Sequence, residues 1–213
     1  MAGKKSTFLS MVLTLLMVSL ISATILGFVH SMTKEAIDVA KLKAQNEAIK
    51  SILPQFNELG ASWKAAPEDG GDSLVFFPAF NSSQELVGVA VKTYSKNGFG
   101  GLIQIMVGFK PDGVISGYQV LEHKETPGLG SKMDTWFNNA AKSGQNIIGK
   151  NPGTAKLMVT KDGGEVDAIT ASTITSRAFL ESIRKAYESF QAAAQHETEG
   201  PISHDEETEG GAL

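Results

Sequence analysis

Cysteine is absent from this chain of 213 residues, and no cluster of histidines takes its place. The lack of cysteine excludes disulfide frameworks, zinc ribbons, iron–sulfur ligation, thiol catalysis and a lipoprotein anchor on an N-terminal cysteine. The 4 histidines, His30, His123, His196 and His204, include no pair at the spacing of a helical metal site. The sequence therefore predicts no resident metal centre built on sulfur or imidazole.

Charged residues are missing from a long N-terminal stretch. No Asp, Glu, Lys or Arg lies between Lys5 and Lys34, and residues 8–29 are predominantly apolar. A helix of that length covers a hydrocarbon core of about 30 Å, so we expect a membrane-spanning helix over 8–29. Lys4 and Lys5 precede the apolar stretch, which favours a cytoplasmic location for residues 1–7 and an exported body. A cleaved signal peptide is the competing interpretation, but the stretch is long for one and ends in no clear small-x-small cleavage site.

The chain also has no block of basic residues in its body, and its net charge is −4. A dedicated nucleic-acid-binding protein is therefore not expected. The composition, 42% hydrophobic and 20% charged, is that of a folded protein. Only the C-terminal residues depart from it, because no Lys or Arg follows Lys185 and acidic residues accumulate from Glu197 onward. We expect residues 196–213 to form an acidic, disordered tail.

Apolar periodicity predicts an α+β fold, with one transmembrane helix followed by a single domain of antiparallel sheet and flanking helices. Residues 30–54 favour a helical stalk that Pro54 ends, and 57–72 are typical of a loop. Alternating apolar residues predict strands, a short helix is expected near the middle of the domain, and an amphipathic helix is expected near its end. The predicted strands are 73–77, 85–94, 102–109, 114–121 and 156–160, and the predicted helices are 133–141 and 173–194. The tripeptide Pro111-Asp112-Gly113 predicts a tight hairpin turn between two of the strands.

A glycine-containing loop follows the second strand of that hairpin. It runs Glu125-Thr126-Pro127-Gly128-Leu129-Gly130, and residues 98–101, with Phe99 among glycines, offer similar backbone freedom. Glycine permits a positive φ and a close approach of the backbone to a ligand. A structural role as simple strand-ending turns is equally compatible with these residues.

A second segment collects hydroxyl side chains at the predicted start of the last helix. Asp167 is followed by Thr170, Ser172, Thr173, Thr175 and Ser176. These hydroxyls are typical of helix capping, which is the simpler interpretation. A helix N-terminus also favours a phosphate group, and a hydroxyl beside it is placed to carry a phosphate ester if a neighbouring group activates it.

This segment resembles the flavinylation motif of the covalent-FMN-binding domain family, Asp-x-x-(Ser/Thr)-(Gly/Ala)-(Ala/Ser)-Thr. Asp167, Thr170 and Thr173 match its fixed positions. The resemblance implies that Thr173 carries FMN through a phosphoester bond, installed by a separate flavin transferase that uses FAD. The commonest family pattern has Gly-Ala before the acceptor, whereas this chain has Ala171-Ser172, so Ser172 is an alternative acceptor. Residues 125–130 resemble the family's second signature, which lines the flavin site, and we expect Glu125, Thr126, Gly128, Leu129 and Gly130 to contact the cofactor.

The layout of residues 1–195 resembles one subset of this family, the G subunits of Rnf ion-translocating electron transport complexes. The resemblance implies a single-pass protein of the bacterial inner membrane, with the FMN domain, 55–195, outside the cytoplasm. It also implies electron relay among the redox and membrane subunits of a complex of the ferredoxin:NAD oxidoreductase type, without catalysis by the chain alone. The protein would position and tune the flavin, which supplies the redox chemistry.

Three alternatives remain open. The C subunit of the sodium-translocating NADH:quinone oxidoreductase is similar but typically longer. A free-standing flavinylated carrier that feeds an extracytoplasmic reductase would share both signatures. An anchored binding module without redox function, in which the hydroxyl residues only cap a helix, would be colourless after co-expression with the transferase.

Overall fold

The computed structural model describes residues 8–199, with side chains as far as residue 193. The expected cytoplasmic segment 1–7 lies outside the described residues. So does most of the expected acidic tail, of which only 196–199 belong to a described helix. Two compact units, residues 1–46 and 47–213, divide the chain.

One continuous helix, α1, spans Phe8–Ile52, so the predicted membrane segment and stalk join without a break. Its 45 residues extend about 68 Å at 1.5 Å per residue. The helix is long and apolar enough to cross a membrane, and its apolar part is not buried within the protein. Hydroxyls within it donate to carbonyls four residues earlier, as Thr14 does to Ser10 at 2.7 Å and Ser19 to Leu15 at 2.6 Å. These bonds satisfy the few polar side chains of an apolar helix.

The domain in the second unit is built on one antiparallel sheet. Its strands are β1 (Glu58–Leu59), β2 (Trp63–Ala65), β3 (Leu74–Phe80), β4 (Leu86–Gly98), β5 (Gly101–Phe109) and β6 (Ile115–Glu122). The order is β1-β3-β4-β5-β6, and β2 also pairs with β3. The predicted turn is confirmed, because Gly113 has a φ of 79° and donates its N–H to the Lys110 carbonyl at 2.8 Å.

Both faces of the sheet are buried. Neighbouring residues of each central strand point to opposite sides, so they belong to two different cores. Val89 and Val91 of β4 belong to the core beneath the C-terminal helix α3 (Thr173–Glu199), together with Phe179 and Ile183 of that helix. Ala90, between the two valines, belongs to a second core with the end of α1. The fold is therefore α+β, with helices on both faces of an antiparallel sheet.

A row of glycines in adjacent strands lets the end of α1 approach the sheet closely. Gly108 pairs with Gly117 across β5 and β6. A Cβ added at Gly117 would lie 2.9 Å from the Ile52 Cα, and one at Gly108 would lie 2.9 Å from the Ile52 carbonyl oxygen. Ser116 donates its hydroxyl to the same carbonyl at 2.6 Å. Ala48, Ile49 and Ile52 are consequently buried, although the rest of α1 is not.

Three of the predicted segments differ from the structure. Residues 57–72 are not entirely loop, because β1 and β2 pair with β3, and Trp63 stacks on Phe76 with ring centroids 5.2 Å apart. The short helix α2 covers only Met133–Trp136, since the chain then turns into a bridge between Asn138 and Asn146.

The predicted strand 156–160 is the third difference. It makes only an isolated bridge, Val159 to Val166, and then enters a 3₁₀ turn over Thr160–Asp162. Leu157 and Val159 alternate with less buried neighbours because they pack into the core beneath α3. Alternation here reflects the burial of a segment whose backbone bonds to another irregular segment, Glu165 and Val166.

Candidate functional site

The hydroxyl-rich segment forms a tight turn that leads directly into α3, which begins at Thr173. Ser172 donates its N–H to the Ile169 carbonyl at 2.9 Å, and Ala171 within this turn has a φ of 62°. The Ser176 hydroxyl donates to the Ser172 carbonyl at 2.9 Å and accepts from the Ile169 N–H at 2.9 Å. Both of these hydrogen bonds of the Ser176 hydroxyl therefore stabilise the turn.

The acceptor predicted by the motif differs in exposure from its neighbour. Thr173 is half-buried, whereas Ser172 is only 8% exposed. Thr173 also occupies the first helical position, where backbone N–H groups lack intrahelical partners and favour an anion. Exposure and position both favour Thr173 over Ser172 as a place for a phosphate group.

Asp167 is held by its backbone at the entrance to this turn. Its N–H donates to the Gly144 carbonyl at 2.6 Å, and its own carbonyl accepts from Trp136 Nε1 at 2.9 Å. The side chain is exposed, and its Oδ1 would lie 3.2 Å from a Cβ added at Gly144. Sequence reasoning missed Trp136 and Gly144 as residues that fix Asp167, because neither belongs to a motif. Thr170, the remaining fixed position of the motif, is exposed.

The loop 125–130 is joined to the first turn of α3 by one buried carboxylate, that of Glu125. Glu125 is 6% exposed, and its Oε2 accepts a hydrogen bond from the Thr175 hydroxyl at 2.6 Å. Its Oε1 accepts from the Gly100 N–H at 2.9 Å. The two sequence signatures, and the glycine-rich turn around Gly100, therefore meet in the folded domain.

The part of this loop between Thr126 and Leu129 is exposed and shaped by local hydrogen bonds. The Thr126 carbonyl accepts from the Leu129 N–H at 3.1 Å and from the Ser131 N–H at 3.4 Å. Gly128 has a φ of 75° and donates its N–H to the Ser131 hydroxyl at 2.9 Å. Gly130 is buried and serves a different purpose, because a Cβ there would lie 2.8 Å from Thr175 Oγ1.

Three large apolar side chains are exposed around this buried carboxylate. Phe99 is 70% exposed, Leu129 41% and Ile174 51%. Phe99 and Ile174 are the chain neighbours of Gly100 and Thr175, which donate hydrogen bonds to Glu125. Leu129 is the neighbour of Gly130, where an added Cβ would collide with Glu125. Exposed apolar side chains beside a helix N-terminus suit a ligand that has both a flat aromatic ring and a phosphate, as FMN does.

One ion pair close to the site braces its surroundings. Arg177 donates from Nε and Nη2 to the two carboxylate oxygens of Asp162, both at 2.7 Å, which ties the 3₁₀ turn to the start of α3. The guanidinium holds the pKa of Asp162 below its ordinary value. Burial raises the pKa of Asp134, whose carboxylate lies 3.9 Å from His123 Nε2.

These features define the class of protein to which the chain belongs. Residues 98–188 match the FMN-binding domain family, and this range contains both loops and the turn around Gly100. The chain carries that domain behind an apolar N-terminal helix.

Comparison of whole chains identifies the family within this class. The G subunit of the ion-translocating oxidoreductase complex of Methanosarcina acetivorans is 30% identical over 177 residues, which cover 82% of this chain and 90% of that protein. The G subunit of Vibrio atlanticus is 30% identical over 174 residues, 78% of this chain and 81% of that protein. The chain belongs to the family of G subunits of ion-translocating oxidoreductase complexes. A crystal structure of Shewanella oneidensis NqrC covers 64% of this chain and 70% of its own, with 23% identity and a TM-score of 0.46.

Proposed function

We propose that the chain is a membrane-anchored flavoprotein subunit that relays electrons through FMN within an Rnf-type ion-translocating oxidoreductase complex. Membership in the G-subunit family supports the complex and its other subunits as partners, and the FMN-binding domain supports the cofactor. The flavin supplies the redox chemistry, whereas the protein binds and orients it. The chain alone is not expected to turn over a substrate.

Thr173 is the residue that we propose to carry FMN, through a phosphoester bond. The observation that carries this proposal is that Thr173, at the first position of α3, is half-buried. Its neighbour Ser172 is buried, and the Ser176 hydroxyl already donates to the Ser172 carbonyl. Attachment forms one bond from Thr173 Oγ1 to phosphorus, breaks the pyrophosphate bond of FAD and releases AMP and the hydroxyl proton. A separate flavin transferase is the partner for this step.

Two further residues have supporting roles in this proposal. Asp167 has an exposed carboxylate whose backbone is fixed at both its N–H and its carbonyl, which suits it to orient the acceptor or the metal of the transferase. Thr170, which is exposed, is assigned in this proposal to brace the turn before the acceptor. Thr126, Gly128, Leu129 and Gly130 form the loop on which the bound ring would lie, and the side chain of Leu129 is exposed.

The test is mass spectrometry of the intact protein and its peptides, together with fluorescence of the denatured gel band. Protein from its native membrane should carry the mass of FMN on the peptide that contains Thr173. Thr173→Ala should abolish the fluorescence of the denatured band without changing the thermal unfolding temperature appreciably, because the side chain is not part of the core. Ser172→Ala is the matched control and should retain the flavin. Flavin on Ser172 would move the site, and flavin lost on denaturation would exclude a covalent bond.

A further inference from the structure

Glu125 is buried, although it lies in a loop that was expected to contact a ligand. It is 6% exposed, and Thr175, which donates to it, is 1% exposed. Both of its oxygens already accept hydrogen bonds from the protein, from Gly100 N–H and from Thr175 Oγ1. Its carboxylate is therefore directed into the domain, and the hydrogen bonds of its two oxygens link parts of the protein.

Glycines leave the space that this carboxylate occupies. A Cβ added at Gly98 would lie 2.7 Å from Glu125 Oε1, and one at Gly130 would lie 2.9 Å from the Glu125 Cβ. Real Cβ atoms do not approach neighbouring atoms so closely, so side chains at these two positions would displace the carboxylate. Gly98 and Gly130 thus leave room for this carboxylate independently of any ligand, whereas Gly101 and Gly128 have a positive φ and open space around an added Cβ.

The hydrogen bonds of the carboxylate link three segments that are far apart in sequence. Glu125 lies 25 residues from Gly100 and 50 residues from Thr175. Each linked segment carries one exposed apolar side chain: Phe99 precedes Gly100, Ile174 precedes Thr175, and Leu129 lies four residues after Glu125. Thr175 also lies within the first turn of α3, which begins at Thr173. One buried group therefore fixes the relative positions of the apolar residues and of the hydroxyl-bearing turn.

We propose that Glu125 and Thr175 are positioning residues for the flavin, acting through the loops that they join and without touching the cofactor. This inference rests on the proposed function. The second signature suggested that Glu125 contacts FMN. In the role proposed here it does not, and the contacts to the ring come from Phe99, Leu129 and Ile174. Loss of the link should leave the domain folded, because the hydrophobic core beneath α3 stays intact, but should let the three segments move relative to one another.

The experiment compares two buried threonines in the full chain, produced with its transferase. Thr175→Val removes the hydroxyl that binds Glu125 and keeps the shape of the side chain. Thr93→Val is the matched control, because Thr93 is 1% exposed and donates to the Ser182 carbonyl of α3 at 3.0 Å, away from the two loops. Thr175→Ser restores a hydroxyl, and Glu125→Gln changes the other partner. Each variant is measured for thermal unfolding, for covalent flavin by fluorescence of the denatured band, and for the visible absorption of the native flavin.

Thr175→Val and Thr93→Val should both lower the unfolding temperature, since each loses one buried hydrogen bond, and Thr175→Val should lower it more because its partner is a carboxylate. Only Thr175→Val and Glu125→Gln should shift the flavin absorption bands or reduce covalent loading severalfold, and Thr175→Ser should restore both. The double variant that combines Thr175→Val with Glu125→Gln should be no worse than the more affected of these two single variants, because the two residues act as one link.

The inference is overturned if Thr175→Val loads flavin and absorbs like the wild type, or if Thr93→Val changes the flavin equally. Thr175→Val keeps the carboxylate, so it decides the question even where Glu125→Gln does not fold. A wild-type chain whose flavin is not covalent overturns the attachment alone, and its absorption spectrum still tests the positioning. A wild-type chain without any flavin overturns both proposals.

Discussion

At the scale of single residues, the backbone of the turn before Thr173 departs from what its sequence prefers. Ala171 has a φ of 62°, in the left-handed region that glycine adopts readily and alanine does not. The commonest version of the motif that this segment resembles has glycine there. The backbone geometry supplies a physical reason for that preference, and this chain adopts the same turn with alanine at a cost in free energy.

Ala171→Gly should therefore stabilise the protein, by up to about 1 kcal/mol, because relief of the left-handed strain exceeds the added entropy of the unfolded chain. Chemical denaturation followed by circular dichroism measures the difference. Gly128→Ala is the opposite control, since Gly128 has a φ of 75° and open space around a new Cβ, so strain alone should destabilise that variant. A destabilising Ala171→Gly would show that the alanine methyl group contributes packing that outweighs its strain.

At the scale of elements, α1 is one helix with two different environments. Its last turns pack on the sheet through Ala48, Ile49 and Ile52, and the row of glycines in β5 and β6 provides the room. Ile37, in the preceding unit, is 45% exposed. The contribution of the helix to the stability of the domain is therefore concentrated in its end.

Ile49→Ala should destabilise the domain by about 2–5 kcal/mol, as expected for truncation of a fully buried isoleucine. Ile37→Ala, the same substitution in the same helix, should change the free energy of unfolding by less than about 0.5 kcal/mol. Thermal unfolding of the full chain in detergent compares the two. Equal effects at both positions would mean that the exposed part of α1 also stabilises the domain.

At the scale of the whole molecule, orientation across the membrane decides which compartment the electrons reach. Lys4 and Lys5 before the apolar stretch favour a cytoplasmic N-terminus, so we propose that the FMN domain lies outside the cytoplasm. A covalent bond suits that location, because a diffusible flavin would be lost from an exported protein. The candidate membrane helix and the family of a membrane complex agree with an anchored protein.

Protease added to intact spheroplasts should digest the domain and remove the acidic residues from Glu197 onward. A cytoplasmic marker protein should stay intact in the same sample, which controls for leakage. The protein trimmed only at its acidic end should keep its flavin, because both loops and the start of α3 lie upstream. Digestion that occurs only after permeabilisation would place the domain in the cytoplasm and reverse the proposed direction of the relay.

Features that depend on neighbouring residues could be predicted from the sequence alone. The length of the apolar stretch predicted a membrane helix, alternation predicted the main strands, and Pro111-Asp112-Gly113 predicted the turn between two of them. The two signatures identified the FMN-binding domain that the family comparison shows. Each of these depends on local backbone preference or on a pattern of fixed spacing, and both are readable along the chain.

Features that depend on contacts between distant residues became visible only in the folded domain. The short strands β1 and β2 exist because β3 offers them an edge, and 156–160 is not a strand because its backbone bonds to the irregular segment at Glu165 and Val166. The hydrogen bond from Thr175 to Glu125 crosses 50 residues of sequence. No local pattern distinguishes a buried carboxylate that links loops from an exposed one that contacts a ligand, because burial is a property of the packed molecule.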